Sequence, residues 1–248
     1  MSQLLLHVGV AGWRGRMGRA VGQVLEERSD AFAALRFDRG ETPDLSVCDV
    51  VIDFTNAEAS TALARQCAAR NGPALVIGST GFTAQERAAV EAAASAIPIV
   101  LSGNFSLGVN MLIGLVEQAA RKLGPEAWDI EIVEAHHRRK TDAPSGTALM
   151  LGDAAARGRG GDMDALRRPL REGMGGEREA GSIGFSAVRA GGIVGEHQVI
   201  FASEDEVLTL AHSARDRSLF ARGAVEAALW ARDKPAGLYD MQDVLGFR

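Results

Sequence analysis

The feature that most constrains the fold of this chain is its opening, where a short apolar run ends in glycines and a helical pattern starts at once. Leu4-Leu5-Leu6-His7-Val8-Gly9-Val10 reads as a parallel strand covered on both faces. It runs into Gly12-Trp13-Arg14-Gly15-Arg16-Met17-Gly18, and a helix-period pattern extends from about Arg16 to Glu27. The strand–turn–helix unit then recurs. Further strands are expected at Ala33–Phe37, Val50–Phe54, Ala74–Gly78 and Ile97–Leu101, with helices over Ala57–Arg70 and Ala84–Ala96. Alternating strands and helices predict an α/β domain, a doubly wound parallel sheet that binds ligands beyond the carboxyl ends of its strands.

The pattern changes after about Leu107. A helix is expected to Leu123, then Asp129-Ile130-Glu131-Ile132-Val133-Glu134 alternates polar and apolar residues, as a half-buried strand does. Ile183–Arg189, Glu196–Phe201 and Glu206–Leu210 read as neighbouring strands of a mixed or antiparallel sheet, hence a second, α+β domain. Residues 1–106 and 218–248 are assigned to the first domain and 107–217 to the second, with a last helix at Ser218–Arg232 packing back on the first. Arg157 to Gly181, rich in Gly, Arg and Glu, is expected to be a mobile or partly disordered loop.

Composition narrows the partners. The net charge is −5, so neither nucleic acid nor an anionic membrane is an expected partner, and any anion site must be local. No basic and then apolar leader opens the chain, and no apolar run reaches spanning length; a cytoplasmic protein is expected. Cys48 and Cys67 form neither a disulfide framework nor a metal spacing and read as buried small apolar residues. No metal site is expected.

Gly12 to Gly18 is a G-x-x-G-x-x-G turn in the context that matters, after a strand and opening a helix. There, backbone N–H groups approach a pyrophosphate, and Arg14 and Arg16 add charge beside it. Glycine-rich turns are common, so the context carries this reading. Twenty residues past Gly18 stand Asp38 and Arg39. The acid suits the ribose hydroxyls of NAD and the Arg suits the 2′-phosphate of NADP, which leaves the coenzyme open. Gly78-Ser79-Thr80-Gly81-Phe82 and Gly103-Asn104-Phe105-Ser106 end two further strands on the same edge. Each is also compatible with a plain turn or cap. Asp53-Phe54-Thr55 ends a third strand but is less telling.

The run from Glu134 to Thr147 carries the densest chemistry. His136 and His137 end a strand and point to opposite faces. Lys140 is one of only three Lys beside 24 Arg, and Lys can release a proton where Arg cannot. Ser145-Gly146-Thr147 opens a helix whose N–H groups and hydroxyls suit a carboxylate. Arg189, in a second glycine-rich turn that runs to His197, could clamp another. A capped helix after a Pro turn and a hairpin with incidental charges are the plain readings of these two stretches.

Taken together, Gly12–Gly18, Gly78–Phe82, Asn104–Asn110, Glu134–Thr147 and Arg189–His197 resemble, in order along nearly the whole chain, the dihydrodipicolinate reductase family of bacterial lysine and diaminopimelate biosynthesis. The resemblance implies a Rossmann-type first domain, an open mixed sheet in the second and a homotetramer built through those sheets. It implies reduction of 4-hydroxy-tetrahydrodipicolinate, a small dicarboxylate, to tetrahydrodipicolinate with loss of water, using NADPH or NADH. It casts His136 as proton donor or acceptor and Lys140 as proton donor. His137, Ser145, Gly146, Thr147 and Arg189 would hold substrate carboxylates. Gly12, Trp13, Arg14, Gly15, Arg16, Met17, Asp38, Arg39, Gly78, Ser79, Thr80, Gly103, Asn104, Phe105 and Ser106 would line the cofactor. Ser79 stands where the family has Thr, and the stretch from Arg39 to Asp49 is shorter than in many relatives. Two other readings fit part of the pattern: a Rossmann dehydrogenase acting on an open-chain amino acid such as aspartate, and a non-catalytic nucleotide-sensing module. Neither needs the His-His-x-x-Lys run.

Overall fold

A computed structural model describes residues 5–168, 173, 176–216 and 218–248, which divide into two compact units: Met1–Leu107 with Arg217–Arg248, and Gly108–Asp216. The expected strand residue Leu4, the first four residues, over which no leader was expected, and part of the expected loop, at 169–172 and 174–175, lie outside the described residues.

In the first unit, strands β1 (Leu6–Ala11), β2 (Ala31–Phe37), β3 (Val50–Asp53), β4 (Ala74–Ile77), β5 (Pro98–Leu101) and β10 (Gly237–Tyr239) form one parallel sheet. Its order is β10-β5-β4-β3-β1-β2. β3 and β4 are buried at every position, which explains their apolar sequences up to the buried Asp53 that ends β3. Helices α1 (Arg16–Glu26), α2 (Ala57–Ala68), α3 (Ala84–Ala93), α7 (Ser218–Ala231) and the short α8 (Met241–Val244) cover the sheet. Asn56 caps α2 by accepting from the Ala59 N–H at 2.9 Å, and Thr83 with Glu86 forms a capping box on α3. One core layer joins Val8, Val10, Ile52 and Val76 to Val21, Val24 and the alanine face of α7. α7 therefore packs on the core of the first unit.

β10 and α8 escape sequence reading. Gly237-Leu238-Tyr239 is too short to show a period, and α8 is announced only by Asp240 and Asp243, which cap each other's backbone.

In the second unit, β6 (Asp129–His136), β7 (Ile183–Arg189), β8 (Glu196–Ala202) and β9 (Val207–Ser213) form a mixed sheet in the order β7-β6-β8-β9. β6 pairs β7 in parallel and β8 antiparallel. Helices α4 (Leu107–Lys122) and α5 (Gly146–Gly158) bury one face, with Leu112, Val116, Leu151 and Ala155 against Ile130, Ile132, Val199 and Phe201. Gly158 lets the two helices cross closely, since a Cβ there would stand 2.4 Å from the Glu117 carbonyl oxygen.

The stretch expected as a loose loop is only partly one. α5 runs on to Gly158, and a short helix α6 (Met163–Leu166) follows. Beyond it, Arg178 donates to Asp129, Glu131 and the Ile130 carbonyl, and Arg159 to the carbonyls of Gly181 and Trp128. Arginines that look like solvent-facing charge in the sequence thus tie this stretch to β6.

Gly223 on α7 lies against the Phe105 backbone, where a Cβ would stand 1.7 Å from a carbonyl oxygen. Gly223→Ala must push α7 off the sheet. It is expected to cost about 1–3 kcal/mol and to lower the first unit's midpoint in urea, read by circular dichroism beside the unaltered chain.

Candidate functional site

In the first unit the functional edge is built mainly from backbone. Gly12 adopts φ +66°, a left-handed turn conformation that L side chains resist. Gly18 is forced by proximity, since a Cβ would meet the Gly12 carbonyl oxygen at 2.3 Å. Gly15 caps α1 without a side chain, and no acid stands in the first turn, so the helix opens with donors and no competing anion. These are the features a pyrophosphate requires, so the residues present fit a dinucleotide. Trp13 is sandwiched by guanidinium groups, Arg14 at 5.7 Å and Arg36 at 5.8 Å from its ring.

Beside this turn lies a cavity of about 360 Å³ between the ends of β1, β2 and β3 and the start of α2. Gly12, Asp38 and Arg39 line it, as a cofactor edge would have it. So do Thr55, from the strand end read as less telling, and Glu41 and Asn56, which sequence reasoning did not include. Asp53 also lines it, 1% exposed; its Oδ1 accepts from the Thr55 N–H at 2.8 Å and hydroxyl at 2.6 Å, and its Oδ2 has no partner. The strand-end Asp-x-Thr pattern was the available signal.

Other expected cofactor residues turn inward. Ser79 is buried and its hydroxyl pairs with Ser60 at 2.8 Å. Phe105 is a core side chain, 1% exposed and edge-on to Phe54 at 5.6 Å between centroids. Gly78 is needed because a Cβ would overlap the Phe54 ring at 2.0 Å. Gly103 has room beside Thr80. Asn104 folds its own turn, accepting from the Ser106 N–H at 2.8 Å, while the Ser102 hydroxyl donates to its carbonyl. Ser79 and Phe105 can therefore offer a cofactor only backbone atoms. The strand-end positions were legible from sequence, whereas the direction of each side chain was not.

In the second unit the expected run folds around Glu134. This carboxylate is 1% exposed on β6. Oε2 takes His136 Nδ1 at 2.6 Å, Arg189 reaches both oxygens at 2.7 Å, and the Ser145 N–H donates to Oε1 at 3.1 Å. Burial alone would raise its pKa; Arg189 and His136, by hydrogen bond and charge, more than offset this and hold it below the usual carboxylate range. An ionised Glu134 fixes the tautomer, with His136 donating through Nδ1 and leaving Nε2 as the nitrogen for proton exchange. Gly195 keeps that nitrogen clear, since a Cβ there would stand 3.1 Å from it.

Arg189, expected to clamp a substrate carboxylate, has its fork on Glu134 and donates to the Asp142 carbonyl at 2.6 Å. Lys140 donates to both oxygens of Asp142 at 2.8 Å, and that pairing lowers the Asp142 pKa. Ser145 caps α5, its hydroxyl accepting from the Ala148 N–H at 3.2 Å. Gly146 is exposed and Thr147 half-buried in a first turn that holds no acid. His137 is half-buried with no partner at Nδ1. Among the described residues no group of His, Cys, Asp and Glu could hold a metal. Both cysteines are buried and free, and burial pushes Cys48 up to about 11 and Cys67 to about 12, so they are inert.

His197 was missed as an individual residue. It is buried on β8, pairs through Nε2 with the Ser145 hydroxyl at 3.0 Å and stands edge-on to His136 at 5.1 Å. Burial first, then the nearby His136, pushes its pKa down to about 4. At neutral pH it is an uncharged support for the cap of α5.

Comparison with known proteins agrees with both halves. Residues 6–105 match the family model described as dihydrodipicolinate reductase, N-terminus, and residues 108–245 match its C-terminus. The chain is 60% identical to the 4-hydroxy-tetrahydrodipicolinate reductase of Caulobacter vibrioides over 97% of each chain. It is 48% identical to the reductase of the same name from Methylocella silvestris over 96% of each. A dipicolinate-bound dihydrodipicolinate reductase from Paenisporosarcina sp. TG-14 superposes with a TM-score of 0.78 at 22% identity, over 96% of this chain and 98% of the other, which shows a shared fold.

His197 carries a pH signature. Its folded pKa lies below the ordinary value of 6.5, so the unfolded chain binds the proton first. Its contribution to stability is complete above pH 6.5 and is lost as pH falls from there towards 4, by about 3 kcal/mol. His197→Gln, which retains an amide partner for Ser145, should flatten unfolding free energy over that window relative to the unaltered chain. Parallel pH curves would refute this.

Proposed function

The chain belongs to the dihydrodipicolinate reductase family, and from that premise we propose how its residues carry out the NAD(P)H-dependent reduction of 4-hydroxy-tetrahydrodipicolinate in lysine and diaminopimelate biosynthesis. Loss of water, gain of one hydride and gain of one proton convert this substrate to tetrahydrodipicolinate. The observation that carries the reading is the Glu134–His136 pair at 2.6 Å, within the same short run that caps an anion-ready helix with Ser145.

The glycine turn from Gly12 to Met17 binds the dinucleotide, and the reduced nicotinamide supplies the hydride. Gly146 and Thr147 hold one substrate carboxylate at the start of α5, where N–H groups and the helix dipole favour an anion. Ser145 supports them by shaping the turn. His137 lends a further donor. These anchors hold the ring in place and offset its charge. Lys140 donates the proton that accompanies hydride addition. His136, oriented by Glu134, exchanges a proton through Nε2. Arg189 acts on the reaction through Glu134, keeping that carboxylate ionised.

Among the described residues no helix is long and apolar enough to cross a membrane, and we place the enzyme in the cytoplasm. The open face of the second sheet carries Val188 and Val207, exposed at 46% and 64%, which supports a homotetramer assembled through these sheets.

The deciding experiment follows NAD(P)H absorbance with freshly generated 4-hydroxy-tetrahydrodipicolinate and with aspartate. Oxidation with aspartate alone would favour the open-chain dehydrogenase; binding without oxidation would favour a sensing module. Lys140→Ala should lower turnover by about 10²-fold or more, with NAD(P)H affinity unchanged. Lys140→Arg keeps the charge but does not release a proton at working pH. It should be equally slow, and its recovery would reduce Lys140 to an anchor.

A further inference from the structure

The cavity at the end of β2 has an acidic lining. Asp38, Glu41, Asp53 and Glu58 face Arg39 as the one cationic side chain among its described lining residues. The end of the second strand is where a dinucleotide-binding unit meets the adenosine ribose, so this charge balance bears on whether a 2′-phosphate is accepted. Asp38 is the acid such a unit requires. Glu41, three residues on, adds a second carboxylate to the same lining.

Glu41 does two things. Its Oε2 accepts from the Asp38 N–H at 3.0 Å, closing a turn around Gly40, whose φ is +85°. Its Oε1 stands 3.4 Å from a terminal nitrogen of Arg14, the arginine of the glycine turn. Arg14 is drawn to Asp38 as well, its backbone N–H 3.3 Å and its Nε 3.7 Å from Oδ2. The cation best placed to meet a phosphate beside the glycine turn is thus already matched by two carboxylates. Asp53 is a further carboxylate in the same lining.

We propose that Glu41 is a coenzyme-specificity residue: it engages Arg14 and adds negative charge beside the ribose site, so the chain prefers NADH to NADPH. The proposal rests on the NAD(P)H reading above and refines it. Ribose hydroxyls are donors and find acceptors in Asp38 and Glu41. A 2′-phosphate is a dianion that meets those carboxylates with only Arg39 in support. Converting Glu41 to a neutral isostere removes one of the two carboxylates on Arg14 and leaves Asp38 as its remaining partner, so Arg14 can turn towards a 2′-phosphate beside Arg39.

Equilibrium titration of the full chain with NADH and with NADPH, by nucleotide fluorescence, tests this without turnover. The unaltered chain should bind NADH about tenfold more tightly than NADPH. Glu41→Gln should tighten NADPH about tenfold while NADH stays within about twofold. The double variant Arg14→Gln with Glu41→Gln should lose that gain, which separates charge release from a disturbed turn. Equal affinities in the unaltered chain, or a Glu41→Gln variant that shifts both nucleotides alike, would overturn the proposal. Binding of neither nucleotide would overturn the cofactor reading beneath it.

Discussion

The second unit is organised around one buried charge. A carboxylate taken out of water costs several kcal/mol unless its oxygens are fully met, and Glu134 is met by an imidazole, a guanidinium fork and a backbone N–H. Those partners come from three places: β6 itself, the end of β7 and the start of α5. Sheet register brings them together, since His136 lies opposite Arg189 and Glu134 opposite His197. Side chains alternate along a strand, so Glu134 and His136 share the face of Ile130 and Ile132, against which α4 and α5 pack. A slip of one residue would turn the isoleucines and the charged pair outward together. The apolar core and the acid–base pair are therefore specified by the same register.

The first unit solves a different problem by different means. A pyrophosphate needs donors and close approach more than it needs a permanent counter-charge. Gly12 supplies the turn, Gly18 the packing distance and Gly15 an uncapped helix start. Charge enters only at the margin, where Arg14 is shared between Asp38 and Glu41. In the first unit the charges near the turn are committed to one another, whereas in the second unit they are committed to holding an imidazole.

What was legible in the sequence follows from this contrast. Strand and helix periods, the glycine turn and the cap at Ser145 are local patterns, and each leaves a mark within a few residues. The partner of Arg189 is Glu134, fifty-five residues away, and no local pattern distinguishes a guanidinium that grips a buried acid from one that awaits a substrate. Phe105 sits at a strand end, where a cofactor contact was a fair expectation, yet its ring is drawn into the core by Phe54. His197 looked like one charge in a glycine-rich hairpin. Only the antiparallel pairing of β6 with β8 carries it beneath the cap of α5. β10 was lost because three residues cannot display a period.

The buried polar atoms that lack a protein partner are unevenly distributed. Among the described residues they are Asp53 Oδ2, Arg159 Nε, Arg189 Nε and one ring nitrogen each of His137, His197 and His212. Arg159 belongs to the strap that ties the stretch after α5 to the sheet. Asp53 lines the cavity by the glycine turn. His137 and Arg189 flank the Glu134 cluster, His197 supports its cap, and His212 lies opposite His197 on β9. An unmet buried polar group costs about 1–3 kcal/mol, so a chain selected for stability alone would scatter or remove such atoms. Asp53 stands at the cavity, and Arg189 and His197 bear on Glu134 and on the cap of α5. Burial then keeps His197 and His212 uncharged, since desolvation lowers the pKa of both. Both imidazoles therefore stand as neutral groups beneath the charged run from His136 to Lys140.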